Sequence, residues 1–344
     1  MLSVSVVIPI LNAERTLAHC LKALAQLDPA PLEIVLVDNG STDGTMGLLE
    51  GFASSHKRCL VRILREPRKG AAAARNAGFR AVRGVVVAFT DSDCAPEPAW
   101  LSSLIQPFED QTIGAVAGRV VAAPAAATIE LFNSLYTLQL PEHPAKHSCW
   151  TPWKGGYPTA NLAVRRALLE DLDGFDQGIT IYGEDYDLCA RLYGRGVKLL
   201  YIPEARVEHR HRTSLAGTLR QAFGIGRSHP YLLRRHATRG LWMELPWCHI
   251  AWPKSPIPAW MDLASADKKV LAIVALGSMY GPLIWLLALL ALWLAATVAW
   301  RAKRAGVPVN LLAAANLAGL LVLKSAAMTL GRWWGSVKYG ALCF

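Results

Sequence analysis

Five apolar residues run from Val85 to Phe89 and stop at Thr90-Asp91-Ser92-Asp93, and no other stretch constrains the fold as much. An uninterrupted Val-rich run of this length predicts a strand covered on both faces, as in a parallel sheet, rather than a strand with one wet face. Its carboxyl end then carries two carboxylates. Ligands of open α/β sheets bind at that edge, and two Asp two positions apart on a turning backbone can aim oxygens at one hard cation, which could bridge to a diphosphate. The same Asp-Ser-Asp also suits a cap for the helix start at 96–101. The residues alone therefore leave cap and cation site as alternatives.

The preceding residues supply the rest of such a sheet. Ser3 to Ile10 reads as a Val/Ile strand, and Asn12-Ala13-Glu14 opens a helix with Leu17, Leu21, Leu24 and Leu27 on one face. Leu32 to Val37 is a second buried strand, ending in the polar loop Asp38-Asn39-Gly40-Ser41-Thr42-Asp43-Gly44-Thr45. Strand, helix, strand at this spacing predicts a right-handed βαβ unit in a parallel sheet. Cys59 to Leu64 is a third strand. The small residues of Ala71 to Phe79 allow a helix to pack close to the sheet or a ligand. No GxGxxG follows the first strand and no GxxxxGK[ST] is present, which argues against a dinucleotide-binding Rossmann domain and a P-loop enzyme.

A chain of 344 residues exceeds the usual single domain. Its character changes along its length: up to about residue 240 charged and apolar segments mix, whereas Leu, Ala, Trp and Val dominate from Val270, and this tail accounts for most of the positive mean hydropathy of +0.25. Met1 to Pro9 lack a basic n-region and a cleavage site, so they read as a strand and not a secretory signal. Seven Cys without a CxxC or zinc spacing read as reduced packing residues. The net charge of +10 is not gathered into one run but collects after about Arg191 and beside the apolar tail, which suits an anionic membrane surface or a phosphorylated ligand better than nucleic acid.

In order, Val4-Ser5-Val6-Val7-Ile8-Pro9-Ile10-Leu11-Asn12, the Val37 to Thr45 loop, Gly70 through Ala74-Arg75-Asn76-Ala77-Gly78, and Asp91-Ser92-Asp93 resemble the successive signatures of family 2 glycosyltransferases with the GT-A fold. The resemblance covers roughly residues 3 to 230 and continues through Gly155 to Arg166, Leu172-Asp173-Gly174-Phe175-Asp176, where Asp173 replaces a Gly of the family pattern, and Gly183-Glu184-Asp185-Tyr186-Asp187. It implies an α/β fold with a mostly parallel central sheet and transfer of a sugar from a nucleotide-diphosphate sugar to a hydroxyl acceptor with inversion.

The resemblance also implies roles. Asp185 is the expected catalytic base, in the first turn of a helix where a carboxylate suits the dipole. An ordinary Asp, with a pKa of about 3.9, is too weak to deprotonate an alcohol beforehand, so proton removal must be concerted with bond formation. Asp93, with Asp91 nearby, is expected to hold Mg2+ or Mn2+ against the leaving diphosphate, with His209 as a further contact. His211, one alternating position away, would face the same side. Pro9, Asn12 and Glu14 fall to the nucleotide pocket, Asp38 to the base edge, Arg75 to the nucleotide or sugar, and Asn161 and Glu184 to the acceptor side. The Gln-x-x-Arg-Trp of processive relatives is missing from 218–227. Arg220 or Arg227 could still clamp a diphosphate, or the segment is a basic amphipathic helix on lipid headgroups.

Trp242, Trp247, Trp252 and Trp260 punctuate a Pro-rich stretch that reads as an interfacial linker, or equally as an aromatic packing surface. Val270 to Trp300 has no charged residue and exceeds the roughly 20 residues of a spanning helix, with Gly281-Pro282 either kinking it or marking its start; Val307 to Leu330, interrupted by Lys324, is a second candidate. The expected organisation is a catalytic domain over 1–235, a linker over 236–269 and a membrane hairpin with a basic tail over 270–344, in the cytoplasmic membrane with the catalytic domain facing the cytoplasm. A spanning hairpin would put Arg301-Ala302-Lys303-Arg304 outside, against the positive-inside tendency, which leaves a re-entrant or interfacial arrangement open. The expected acceptor is a lipid-linked or cell-surface glycan precursor. A polyprenyl-phosphate sugar synthase and a non-catalytic sugar-nucleotide-binding assembly protein are the alternatives.

Overall fold

The computed structural model describes residues 2–179, 182–237, 239–252, 256 and 258–344. Met1 of the first predicted strand and residues 238, 253–255 and 257 of the predicted linker lie outside the described residues. The chain forms two compact units, one of Met1–Ala123 with Leu138–His211, the other of Pro124–Thr137 with Arg212–Phe344.

In chain order the elements are β1 (Val4–Ile10), α1 (Glu14–Ala25), β2 (Glu33–Asp38), α2 (Thr45–Ser55), β3 (Leu60–Arg65), α3 (Ala71–Ala81), β4 (Val86–Phe89), β5 (Cys94–Pro96), α4 (Trp100–Ile105), β6 (Ile113–Ala122), α5 (Thr128–Tyr136), β7 (Ala145–His147), β8 (Leu162–Arg165), α6 (Arg166–Asp171), α7 (Glu184–Tyr193) and β9 (Lys198–His209). There follow α8 (Leu215–His236), β10 (Leu241–Glu244), β11 (His249–Trp252), β12 (Ala259–Asp262), α9 (Ala266–Met279), α10 (Leu286–Arg304), α11 (Leu311–Tyr339) and β13 (Leu342–Cys343).

In the first unit, nine strands form one sheet of order β3-β2-β1-β4-β8-β6-β9-β5, with β7 paired to β9. The β3-β2-β1-β4 half is parallel, as the βαβ spacing requires; β8 pairs antiparallel with β4 and β6, and β5 antiparallel with β9. The fold is α/β of the GT-A kind with a mostly parallel core. Alternation explains why its strands read as unbroken apolar runs. Val6, Ile8, Leu36, Val86 and Ala88 join one core with Leu17 and Leu21 of α1 and Trp100 of α4, whereas Val7, Val35, Val87 and Phe89 join a second with Phe79 of α3 and Leu188 of α7. Each large side chain buried this way contributes about 1.5–3 kcal/mol.

The small-residue run of α3 serves close packing. A Cβ at Gly78 would overlap Val7 Cγ1 and lie 3.2 Å from Val37 Cγ2, so only hydrogen lets α3 approach β1 and β2. Asp173, where the family pattern has Gly, adopts φ 53°, a left-handed conformation that Asp tolerates better than most side chains, and Oδ1 of its carboxylate accepts from Arg80 at 2.7 Å.

In the second unit, α8 packs along α11. Gly226 of α8 meets the Met328 carbonyl, and Gly331 of α11 meets that of Phe223, so the backbones approach through glycines on both helices. The Trp-rich stretch, read from sequence as an interfacial linker or an aromatic packing surface, folds into a second sheet of order β11-β10-β12-β13, in which Trp260 is buried with Leu233 and Cys343. A strand contributed by the carboxyl terminus completes it, and no local pattern announces that.

The apolar run Val270 to Trp300 breaks at Gly281-Pro282, where the sequence allows a kink or a helix start. α9 stops at Met279, residues 281–285 form a 3-10 turn around Pro282, and α10 begins at Leu286. Proline inside the run removes a backbone donor and ends the first helix. Gly281–Arg304 and Leu311–Tyr339 remain long and apolar enough to cross a membrane, with mean hydropathies of 2.3 and 1.7.

Replacing Gly by Ala inside a helix ordinarily gains about 0.5–1 kcal/mol. Gly47 of α2 has nothing near its missing Cβ, whereas Gly78 is enclosed. Gly47→Ala is expected to raise the Tm, and Gly78→Ala to lower stability by about 1–3 kcal/mol through overpacking. Shifts of the same sign in thermal unfolding would show that α3 has room to move.

Candidate functional site

The candidate site lies where β4 ends. Thr90 to Asp93 turn from β4 into β5, and Cys94 of β5 pairs with His209 at the end of β9. This register brings His209 Nε2 3.5 Å from Asp93 Oδ2, and one ligand atom each from Asp93, Cys94 and His209 lies within 4.8 Å of the others. Burial would raise the Asp93 carboxyl, but the His209 ring outweighs it and holds the group below its ordinary range. Burial, reinforced by Asp93 and Asp91, pushes the Cys94 thiol well up, so its sulfur is a neutral packing group. A carboxylate oxygen and an imidazole nitrogen suit Mn2+, and the carboxylate alone suits Mg2+; a protonated thiol suits neither. Asp93 and His209 therefore fit such an ion. His211 is buried, its ring 4.6 Å from that of His209, and it is not in the ligand cluster among the described residues.

Asp91 faces a different partner. Its Oδ1 accepts from Arg75 Nη2 at 2.8 Å, and Arg75 Nη1 reaches Glu184 Oε1 at 2.8 Å. Burial opposes the Arg75 charge, yet the Asp91 and Glu184 carboxylates raise its pKa above even the ordinary guanidinium value. Burial keeps the Asp91 carboxyl above its usual range, although Arg75 pulls the other way. Arg75, 4% exposed, stacks against Phe175 at 5.7 Å, and its Nε has no hydrogen-bond partner among the described residues.

Glu184 and Asp185 open α7 after Gly183, whose φ of 102° only glycine adopts freely. Asp185 Oδ1 accepts from the Tyr186 N–H at 2.9 Å. Burial, then the adjacent Glu184 charge, pushes the Asp185 carboxyl up to about 7, with Arg75 opposing. It is thus a far better proton acceptor near neutral pH than an ordinary Asp.

The remaining predicted residues divide. Asn12, at φ 49°, accepts the Thr42 N–H on Oδ1 at 2.8 Å and donates its own N–H to Ser41 Oγ, while Glu14 Oε2 accepts from Gly44 N at 3.0 Å. Together they clamp the 41–45 loop, while Pro9 lies in β1 opposite Val37 of β2. Asp38 is buried, with its carboxylate accepting from the N–H groups of Gly40 and Ser41 at 3.3 and 3.1 Å. Asn161, predicted on the acceptor side, is fully buried: Oδ1 accepts from Trp100 Nε1 at 2.7 Å, and Nδ2 donates to the carbonyls of Arg119 and Ala205. Its amide is committed to the core. Arg220 and Arg227 lie on α8 in the second unit, where Arg220 is exposed and Arg227 stacks on Phe223 and Trp334.

Two residues stand out that the sequence reading passed over. Asn76 Nδ2 donates to the Phe175 carbonyl and Oδ1 accepts from its N–H, both at 2.8 Å, which ties the 175 loop to α3 beside Arg75. Asn39 Nδ2 donates to the carbonyls of Glu66 and Arg68, and its Oδ1 accepts from Gly70 N. An Asn within each ordered motif was the available signal.

An α/β sheet of GT-A kind with an acidic pair at the end of β4 defines a nucleotide-sugar-transferase fold. Residues 5–173 match the family model described as Glycosyl transferase family 2, and the chain belongs to that family. It is 36% identical over 238 residues to the pre-mycofactocin glycosyltransferase of Mycobacterium tuberculosis, an alignment covering 67% of this chain and 48% of that protein, so the chain spans about half the length of this relative. It is 27% identical to glycosyltransferase AglE of Haloferax volcanii over 78% of this chain and 87% of that one. The mannosyltransferase PcManGT from Pyrobaculum calidifontis, solved with GDP-Man and Mn2+, shares the fold with a TM-score of 0.57 at 21% identity, over 97% of this chain and 87% of that one.

Removing Arg75 leaves two carboxylates without their buried cation. Arg75→Met is expected to destabilise by about 3–5 kcal/mol. Because burial already raises the Asp91 carboxyl and Arg75 opposes that shift, Asp91 would then bind its proton still more tightly folded than unfolded, and part of the loss should return as pH falls from 8 to 5. Urea unfolding at the two pH values measures this; a pH-independent loss would mean that packing, and not charge, is what Arg75 supplies.

Proposed function

We propose that this chain is a membrane-anchored inverting glycosyltransferase that moves a sugar from a nucleotide-diphosphate sugar to a hydroxyl acceptor. The observation that carries this reading is the Asp185 carboxyl, pushed up to about 7 beside the Arg75–Glu184 pair. Support comes also from the relatives, which are named glycosyltransferases, and from PcManGT, which was solved with GDP-Man and Mn2+.

In this mechanism the acceptor oxygen attacks the anomeric carbon from the face opposite the leaving group, its proton passes to Asp185, and the bond to the nucleoside diphosphate breaks. A pKa near the working pH is what an efficient general base needs. Asp93 and His209 would hold a divalent cation, Mg2+ or Mn2+, which when bound neutralises charge on the diphosphate. Arg75 acts as a positioning residue that fixes Asp91 and Glu184 relative to one another, and the Asn12–Glu14 clamp shapes the nucleotide loop. A phosphate acceptor is already ionised and would leave a tuned Asp185 without a task, so the hydroxyl acceptor is favoured over a polyprenyl phosphate. We place the acceptor among lipid-linked or cell-surface glycan precursors, at the cytoplasmic membrane with the catalytic unit on its cytoplasmic face, because exposed apolar helices accompany the catalytic unit in one chain.

Two measurements test this. The rate of sugar transfer should rise with pH through about 7 and level off above, since Asp185 works ionised; Asp185→Asn should lower kcat by about 10²–10⁴-fold and abolish that limb. An Asp185→Asn enzyme with a wild-type profile would remove the base assignment. Chelation should abolish transfer, Mn2+ or Mg2+ should restore it in the wild type, and Asp93→Ala should resist restoration. Transfer indifferent to chelator would eliminate the cation site.

A further inference from the structure

We infer that α9, the 280–285 turn and α10 form a re-entrant hairpin seated in a single leaflet of a lipid bilayer, with the basic Arg301–Arg304 turn on the same membrane face as the catalytic unit. The inference rests on the membrane association proposed above and specifies its path.

The two helices run antiparallel. Gly277 lies against Ile284, where an added Cβ would be 3.2 Å from the Ile284 nitrogen, and further along the pair the Lys269 ammonium stacks over Trp293 at 5.1 Å. The surface around the turn is apolar and exposed, from Val274 and Met279 through Trp285 to Leu289. From Lys269 to Tyr280 the helix rises about 17 Å, little more than half of the roughly 30 Å of hydrocarbon in a bilayer. α9 is deep enough for one leaflet and too short for two, and because it pairs with the start of α10 it sets the depth of the turn.

The other end of α10 is anchored. Arg301 Nη1 donates to the Leu135 carbonyl at 3.0 Å and its guanidinium covers the Tyr136 ring, while Lys324 Nζ of α11 donates to the Tyr136 carbonyl and to Thr137 Oγ1, both at 2.7 Å. These two cations cap the last turn of α5. Residues 124–137 are joined by the covalent chain at both ends to the first unit, and Leu138 belongs to that unit's core. Leu138 lies three positions beyond Leu135, and extended chain covers at most about 11 Å over that interval. Arg301 consequently cannot lie across a roughly 30 Å hydrocarbon layer from the catalytic unit. Lys324 sits near the middle of α11, so neither half of that helix, about 20 Å each, reaches across from its tether.

Charge agrees with this path. Arg301, Lys303 and Arg304 end α10 beyond Trp293, on the membrane face that carries the catalytic unit, and anionic lipid attracts each exposed cation. A spanning hairpin would instead place these three cations on the far side.

The test compares the sidedness of two single cysteines. In full-length protein with Cys59, Cys149 and Cys248 replaced by Ser, Ala305→Cys reports the α10–α11 turn and Ser55→Cys the catalytic unit, both positions being exposed. A membrane-impermeant maleimide is applied to sealed right-side-out and inside-out vesicles. Both cysteines should label from the same side, with labelling from the other side lost until detergent is added. Labelling of position 305 from the side opposite to position 55 would overturn the re-entrant path while leaving membrane association standing. Recovery of the protein in the soluble fraction after vesicle sedimentation would overturn the association itself, and the path with it.

Discussion

The buried guanidinium of Arg75 is the interaction on which the candidate site depends. It lies in α3, which reaches the sheet closely only because Gly78 carries no side chain, and its two terminal nitrogens hold carboxylates from distant parts of the chain. A buried ion pair gives little net stability over an apolar replacement, but losing one partner is costly because a charge is left without compensation. The arrangement is therefore best understood as a constraint on geometry. Arg75 fixes the Asp91 end of the β4 turn against the start of α7, and the planar fork of a guanidinium does this with directional bonds that a lysine ammonium lacks.

From that constraint follow the different characters of three carboxylates. Asp91 satisfies Arg75, Asp93 is left to face His209, and Asp185, next to Glu184 in a half-buried helix start, is pushed toward neutral pH. One residue type thus performs three tasks through environment alone. Side-chain amides support the frame: Asn76 fixes the 175 loop, Asn39 fixes Gly70, and Asn161 ties Trp100 to two strand carbonyls. Each offers donor and acceptor together, which is what a buried junction of irregular backbone requires.

The second unit obeys the same requirement that polar groups be paired when buried. Arg332 meets Asp262 at 2.8 Å, and Asp267 accepts from Ser325 and Thr329 at 2.5 and 2.7 Å. This polar cluster binds the first turn of α9 and the strand before it to α11, leaving the rest of α9 and the start of α10 as exposed apolar surface. Glycines at the α8–α11 crossing replace side-chain interdigitation with backbone contact, an economy of distance common where helices meet in or near lipid.

Much of this molecule could be read from its order of residues. Apolar runs such as Val86 to Phe89 fix a doubly covered strand, strand–helix spacing fixes a parallel βαβ start, and ordered motifs around Asp38, Arg75, Asp91 and Asp185 give the family, because these are short-range patterns that physics ties to one local outcome. Other features depend on residues that meet only after folding. Pairing of Cys94 with His209 depends on β5 joining the end of β9, the Arg75–Glu184 bond on α3 meeting α7, and the elevated Asp185 proton affinity on burial that no sequence window records. The apolar tail shows the same division most plainly: its composition supplies helices long and apolar enough to cross a membrane, but only folding brings Arg301 to Leu135, on a segment borrowed from between β6 and β7, and so ties the end of α10 to α5.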